Sequence, residues 1–154
     1  PGGVFGPPLG DDITGESLTI LSKMLDGKIP FVPKTAFPMS DVRDVAHLHV
    51  KALKNKTAAG KRFIASGADP ISFAGAATIL NENGYKGPST KIAPAWLLNF
   101  MALFDREAKG MVAILDMHLK ADNSATLKTF KWKPIPFEKS LIDSALAVTE
   151  IKAQ

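Results

Sequence analysis

Apolar positions along the chain recur mostly at helical spacing, broken by clusters of proline and glycine. Leu18, Leu21, Met24 and Leu25 share one side of a helix predicted over Thr14–Asp26, with Gly27 where a left-handed terminating residue is wanted. Lys28–Met39 holds Pro30, Pro33 and Pro38, which exclude a helix and disfavour a central strand. An extended loop with one short strand is expected there. Ser40 then caps a helix over Asp41–Asn55, whose buried stripe is Val42, Val45, Ala46, His49 and Leu53. Asp41 and Asp44 fall in its first turn and Lys51, Lys54 and Lys56 near its end, as the helix dipole favours.

The remaining elements follow the same logic. Pro1–Phe5 reads as the end of a strand entering a loop over Gly6–Asp12, and Arg62–Ser66 as a second short strand. Helices are predicted over Ser72–Asn83, ended by Gly84, over the apolar Ala95–Phe104 after Pro94, and over Arg106–Leu115. Asn123 caps a short helix ending near Phe130. Pro136 opens the last one, with Phe137, Leu141, Ile142, Ala145, Val148 and Ile151 inward. Two isolated strands are odd for an independent domain, because strand edges need hydrogen-bond partners. Strand, helix, strand, then a helical tail is what remains when the end of a doubly wound fold is cut from its beginning. The fold class expected is therefore α/β, a C-terminal portion of a Rossmann-type fold. Residues 1–68 would end the nucleotide-binding domain and carry the proline-rich loop, and residues 69–154 would form a helical substrate-binding part.

Composition adds bounds. A chain of 154 residues, 45% hydrophobic and 22% charged, is sized for about one domain. Its net charge of +4 comes from lysines strung along helices, Lys51, Lys54, Lys56 and Lys61 on one segment and Lys128, Lys131 and Lys133 on another. No aromatic residues interleave with them, so a solvated surface is expected and no nucleic-acid partner. The absence of cysteine excludes disulfides, thiolate metal sites and a cysteine nucleophile, and fits a reducing, cytoplasmic setting. No metal site is expected. The longest apolar run, Ala93–Phe104, falls short of the about 20 residues a bilayer span needs, so no membrane partner is expected. The chain begins at Pro1 without a methionine and inside an apolar run, so an upstream segment is expected.

Glycines at 3, 6 and 10 superficially match a Gly-rich dinucleotide loop. Such a loop offers backbone N–H groups to a pyrophosphate. Pro7 and Pro8 carry no N–H where those donors would be needed, so a tight loop after a strand is the better reading.

The Pro1–Pro7 stretch, Ser40-Asp-Val-Arg-Asp-Val-Ala46-x-x-His49, Gly60-Lys-Arg-Phe-Ile-Ala-Ser66, and Asp122-Asn-Ser124 followed by Trp132-x-Pro134 occur in this order. The ordered set resembles the C-terminal half of extended short-chain dehydrogenases/reductases of the NAD(P)-dependent epimerase/dehydratase group, closest to the dihydroflavonol reductase and aldehyde/ketone reductase branch. The resemblance spans essentially the whole chain. It implies a tyrosine and lysine in Tyr-x-x-x-Lys spacing that move a proton to or from a substrate oxygen while NAD or NADP exchanges a hydride with the same carbon. Here the single tyrosine, Tyr85, is followed four residues on by Ser89. The catalytic pair is absent, and so is the family's N-terminal glycine loop. Both would lie in a missing N-terminal half of the same protein, which this chain would meet as a partner. No residue of the chain itself is expected to be catalytic.

The resemblance implies backbone contacts to the nicotinamide from Pro1, Gly3 and Val4. It also implies a cofactor-phosphate contact from Ser17, with Thr14 as competitor. It places a small carbonyl substrate against Leu18, Leu21, Phe37 and Met39, with Trp96, Phe100 and Phe104 further candidates, although each of these is as well suited to the core. Asp41, Arg43 and Asp44 read as capping and an ion pair, and His49 as a hydrogen-bonded core histidine. Ser40 stands where relatives are usually apolar. No arginine cluster suited to a sugar-nucleotide diphosphate is visible, which favours a reductase of an uncharged carbonyl or secondary alcohol. The alternatives are a non-catalytic cofactor-sensing regulator, a nucleotide-sugar epimerase or dehydratase, and a helical interaction module that docks through Trp96–Phe104. Self-association through unpaired strands is a further expectation.

Overall fold

A computed structural model describes residues 1–104, 109, 110, 112 and 115–154, and shows a mixed α/β architecture. Strand β1 (Gly3–Phe5) leads through the Gly/Pro loop to helix α1 (Glu16–Leu25), which crosses over to strand β2 (Ala36–Asp41). The two strands pair in parallel, Gly3 opposite Met39 and Phe5 opposite Asp41, the arrangement for which a crossover helix is the usual connection. Helix α2 (Val42–Lys54) follows directly and is continued by a short 3-10 turn at Lys56–Ala58. A third strand, β3 (Pro70–Ser72), pairs antiparallel with the first half of β2. Helices α3 (Phe73–Glu82), α4 (Ala95–Met101), α5 (Ser124–Phe130) and α6 (Phe137–Lys152) complete the described elements.

The sheet order is β1-β2-β3, so the strand holding Pro38 is central after all. The sheet is staggered. Ala36–Pro38 pairs with β3 and Met39–Asp41 with β1, so the residue that lacks an N–H sits where the pairing changes sides, opposite Pro70. The expected strand at Arg62–Ser66 is instead an extended segment outside any ladder. Side chains take its carbonyls: Ser40 Oγ donates to Ala65 O at 2.6 Å, Thr126 Oγ1 to Ile64 O at 2.7 Å and Asn123 Nδ2 to Ser66 O at 2.8 Å. Those bonds also explain why Ser40 does not cap α2. Its hydroxyl ties β2 to its neighbours, accepting from the Gly2 N–H as well. The cap is Asp41, whose carboxylate accepts from the Arg43 N–H at 2.8 Å. Likewise Asp122, not Asn123, accepts from the Ser124 N–H at the start of α5.

Two apolar clusters hold the chain together. The larger joins α1, α3 and α6 through Leu21, Met24, Ala77, Leu80, Leu141, Ala145 and Val148, so residues from both the first and the last third share one core. The smaller joins α2 to the end of α5 through Leu48, Ala58, Phe130 and Trp132. Phe63 meets Phe130 edge-on beside it, ring centroids 4.7 Å apart.

Helix α2 is rotated relative to the stripe its pattern predicts. Asp44, Leu48 and Ala52 face inward, while Val42, Ala46, His49 and Leu53 face solvent, Leu53 with 89% of its surface exposed. His49 is therefore not a core histidine; its Nδ1 lies 2.7 Å from Val45 O on an exposed surface. The periodicity finds an apolar face, but among the described residues nothing covers it. The helix expected over Arg106–Leu115 falls mostly outside the described residues.

Candidate functional site

The loop after β1 and the start of α1 hold the residues that the sequence singles out. Gly2 is packed so tightly against β2 that a Cβ there would stand 1.9 Å from Pro38 O. Gly3 lies against Met39, whose Sδ a Cβ would meet at 2.7 Å. The strand is followed by Gly6, held at φ +129° beside Val42, where its N–H donates to the buried Ser144 Oγ at 2.6 Å. Phe5 packs edge-on against Phe137 of α6, ring centroids 5.5 Å apart. Both ends of the molecule thus converge on β1.

Beyond Gly6 the loop opens into solvent, with Leu9 fully exposed and Gly10 free of neighbours. Pro7 and Pro8 offer no amide, so the loop does not suit a pyrophosphate. Thr14 is occupied by Asp12, which accepts from both its N–H and its hydroxyl. Ser17 stands half-exposed in the first turn of α1.

Pro1 is exposed, and Gly3 and Val4 line the strand edge opposite β2. Leu18 packs against the larger core and Leu21, 0% exposed, lies within it. Phe37 and Met39 project to the same side of β2 by the strand period, Phe37 half-buried and Met39 buried next to Gly3. The structure therefore brings Gly3 together with Met39, and sets Leu18 and Leu21 into the α1–α6 interface. Trp96, Phe100 and Phe104 lie apart on α4 and after it, largely exposed.

Tyr85 packs its ring against the larger core, and Ser89 donates its hydroxyl to Pro30 O at 2.7 Å. The most developed polar cluster is the Asp41–Arg43 group. Arg43 pairs with Asp41 at 2.7 Å and with Asp143 of α6 at 2.7 Å, and Ser140 donates to Asp41 Oδ2. Burial alone would raise the Asp41 carboxyl, but hydrogen bonds from Arg43 and Ser140 outweigh it and hold it below the ordinary carboxylate value. Asp41, and after it Asp143, push the Arg43 guanidinium upward, so it stays charged. The reading of Asp41 and Arg43 as a cap and ion pair holds. Ser140 and Asp143, three residues apart on one helix face, are partners that sequence spacing alone could not connect to it.

Among the described residues no helix is long and apolar enough to cross a membrane, and no cluster of three or more histidine, aspartate or glutamate side chains could hold a metal ion.

No protein-family model matches the chain, and no curated protein matches it either. Solved structures do. The yeast methylglyoxal/isovaleraldehyde reductase Gre2 complexed with NADPH superposes with a TM-score of 0.68 at 20% identity, over 99% of this chain and 46% of that one. The terminal R domain from the myxalamid PKS-NRPS biosynthetic pathway gives 0.67 at 14% identity, over 98% and 43%. UDP-glucuronic acid 4-epimerase from Bacillus cereus, in complex with UDP-glucuronic acid and NAD, gives 0.66 at 16%, over 97% and 44%. This chain has the fold of the C-terminal part of an extended short-chain dehydrogenase/reductase. It spans less than half the length of each of these structures.

Proposed function

We propose that the chain is the substrate-facing C-terminal part of an NAD(P)-dependent oxidoreductase that interconverts a small carbonyl compound and its alcohol. The observation that carries this reading is the pair of uncovered surfaces at one end of the sheet. Among the described residues β1 is an edge strand whose parallel partner lies on one side only, and the apolar strip of α2 begins at Val42, beside Gly6 just past the end of that strand. A preceding nucleotide-binding half, carrying the glycine loop and the Tyr-x-x-x-Lys pair, would continue the sheet at β1 and cover Val42, Ala46, His49 and Leu53.

In that assembly the cofactor's chemistry is hydride exchange at the nicotinamide. This chain would offer backbone groups of Pro1, Gly3 and Val4 along the edge, with Ser17 at the start of α1 as a phosphate contact. Leu18, Phe37 and Met39 would shape the substrate side, and Leu21 would support Leu18 from within the core. Residues 1–68 would belong to the nucleotide-binding domain and 69–154 to the substrate-binding part. An uncharged substrate is favoured because Arg43, just beyond the end of β2, is committed to Asp41 and Asp143 and is not free for a diphosphate. A cytoplasmic location suits a cysteine-free, nicotinamide-dependent enzyme.

The test compares the 154-residue chain with the same chain extended by the residues encoded upstream of Pro1. NADPH absorbance is followed with a panel of aldehydes and ketones, and UDP-sugars are assayed in parallel. Turnover of carbonyls by the extended protein alone is expected. Turnover by the 154-residue chain itself, or epimerisation of a UDP-sugar without carbonyl reduction, overturns the reading.

A further inference from the structure

Two lysine groups that lie far apart in sequence meet in space. Helix α2 has three faces. Asp44, Leu48 and Ala52 turn inward, Val42, Ala46, His49 and Leu53 form the apolar strip, and between them runs a basic flank of His47, Lys51 and Lys54. A groove of about 420 Å³ opens along that flank, lined by His47, Val50, Lys51, Lys54 and Lys56. It adjoins a second concavity of about 350 Å³, which shares His47 and Lys51 and is closed on its far side by Lys131, Trp132 and Lys133. Lys131 reaches this position because α5 ends on it in the left-handed conformation, φ +46°, which turns the chain sharply into the Trp132–Pro134 segment.

The cations in this groove are not neutralised. Among the described residues none of Lys51, Lys54, Lys56, Lys131 and Lys133 forms an ion pair, whereas Lys28, Lys34, Lys139 and Lys152 each hold an aspartate. Lys51 spends one donor on Phe130 O at 2.9 Å, which fixes its ammonium at the junction of the two concavities. Arg43 lies at the margin but is held by Asp41 and Asp143. The one carboxylate lining the groove is Asp44, which is buried and accepts from the Ile135 N–H at 2.7 Å. A second, independent feature lies in the wall. Trp132, 8% exposed, has a buried Nε1–H without a hydrogen-bond partner among the described residues, although a buried indole donor ordinarily finds one.

We infer that this groove is a binding site for a compact polyphosphate-bearing small molecule. Five ammonium groups around two adjoining concavities, three on each with Lys51 shared, raise the local concentration of a multivalent anion, and ammonium groups recognise phosphate as point charges without a fixed geometry. The groove is short, and its aromatic lining is the buried Trp132 and the single exposed imidazole of His47, not a row of exposed rings on which successive bases could stack, which favours a compact anion over a nucleic-acid strand. The site lies on the basic flank of α2, beside the apolar strip and not on it. The inference does not depend on the oxidoreductase reading.

Inorganic tripolyphosphate is the probe. Calorimetric titration into the 154-residue chain at low ionic strength is expected to give saturable one-to-one binding. Lys54→Gln combined with Lys133→Gln, both at exposed positions and one in each concavity, is expected to weaken it at least tenfold with an unchanged melting temperature. Lys86→Gln combined with Lys120→Gln removes the same charge elsewhere and is expected to change the affinity less than twofold. Absence of saturation, or equal losses from the two double variants, overturns the site. Tighter binding of a single-stranded oligonucleotide than of tripolyphosphate overturns the assignment to a compact ligand.

Discussion

Ser140 of α6 donates its hydroxyl to Asp41 Oδ2 at 2.6 Å, a buried contact between residues 99 positions apart. Asp41 caps α2 and closes β2, so this one bond fastens the last helix to the point where sheet and helix meet. Arg43 adds a second fastening by spanning Asp41 and Asp143, and Lys139 supports Asp143 from one turn earlier.

Acid should loosen this junction. The Asp41 and Asp143 carboxyls are both held below their ordinary values in the fold, hydrogen bonds and opposite charge outweighing the opposing effect of burial. A group depressed in the folded state contributes stability that is present above its unfolded value and lost as pH falls through the folded one. Denaturant melts should therefore show stability level above about pH 5 and declining below about pH 4. Asp41→Asn should flatten that decline and, at neutral pH, cost about 2–3 kcal/mol, the range for breaking a buried pair reduced because Arg43 is partly in solvent. An acid limb as steep in Asp41→Asn as in the parent would assign the pH dependence to other groups.

Close approach of backbones makes Gly2 irreplaceable in a way that Gly10 is not. An alanine at position 2 would drive its Cβ onto Pro38 O at 1.9 Å, whereas nothing lies within 4 Å of position 10. Gly2→Ala should part β1 from β2 and destabilise by at least about 1–3 kcal/mol, as overpacking does. Gly10→Ala should stay within about 0.5 kcal/mol of the parent. Thermal melts of the two variants check this, and equal midpoints would refute the β1–β2 register.

Trp132 closes the smaller core against Leu48, Ala58 and Phe130. Trp132→Ala should cost about 3–5 kcal/mol, the range for losing a buried aromatic ring. Because its Nε1–H has no partner among the described residues, Trp132→Phe should cost much less than a hydrogen-bonded indole would. Urea midpoints for the pair separate ring burial from the lost donor. A large loss in Trp132→Phe would show that the indole nitrogen is satisfied in solution.

Helices with caps and a covered face were legible from the chain. Phe137–Lys152 buries Leu141, Ala145 and Val148, as its spacing requires, and Ser72 caps α3 through the Gly75 N–H. The misread elements share a cause, namely partners distant in sequence. Ser40 looks like a cap until Gly2 and Ala65 claim its hydroxyl. Arg62–Ser66 looks like a strand until Thr126 and Asn123 take its carbonyls. The lysines of α2 and those around Trp132 look scattered until α5 and its left-handed end bring them to one groove. The α2 pattern marks an apolar face, but among the described residues that face is not the buried one. Val42, Ala46, His49 and Leu53 are exposed among the described residues, although their spacing suits a buried face.

That uncovered face leads to the last prediction. β1 is a parallel edge strand with one side unpaired, and the strip from Val42 to Leu53 starts where the strand ends. A free edge next to apolar surface favours pairing with another chain. The 154-residue chain alone should therefore self-associate as its concentration rises, and light scattering should record species larger than the monomer. Leu53→Lys should shift the equilibrium toward monomer without lowering the melting temperature, because Leu53 is 89% exposed and contributes little to the fold of a single chain. Extension by the residues encoded upstream should suppress association more completely, since the same strand and strip would then be occupied within one molecule. A 154-residue chain that stays monomeric and melts cooperatively at high concentration would instead mean that β1 and α2 tolerate water as they stand, and the proposed nucleotide-binding half would lose its main structural support.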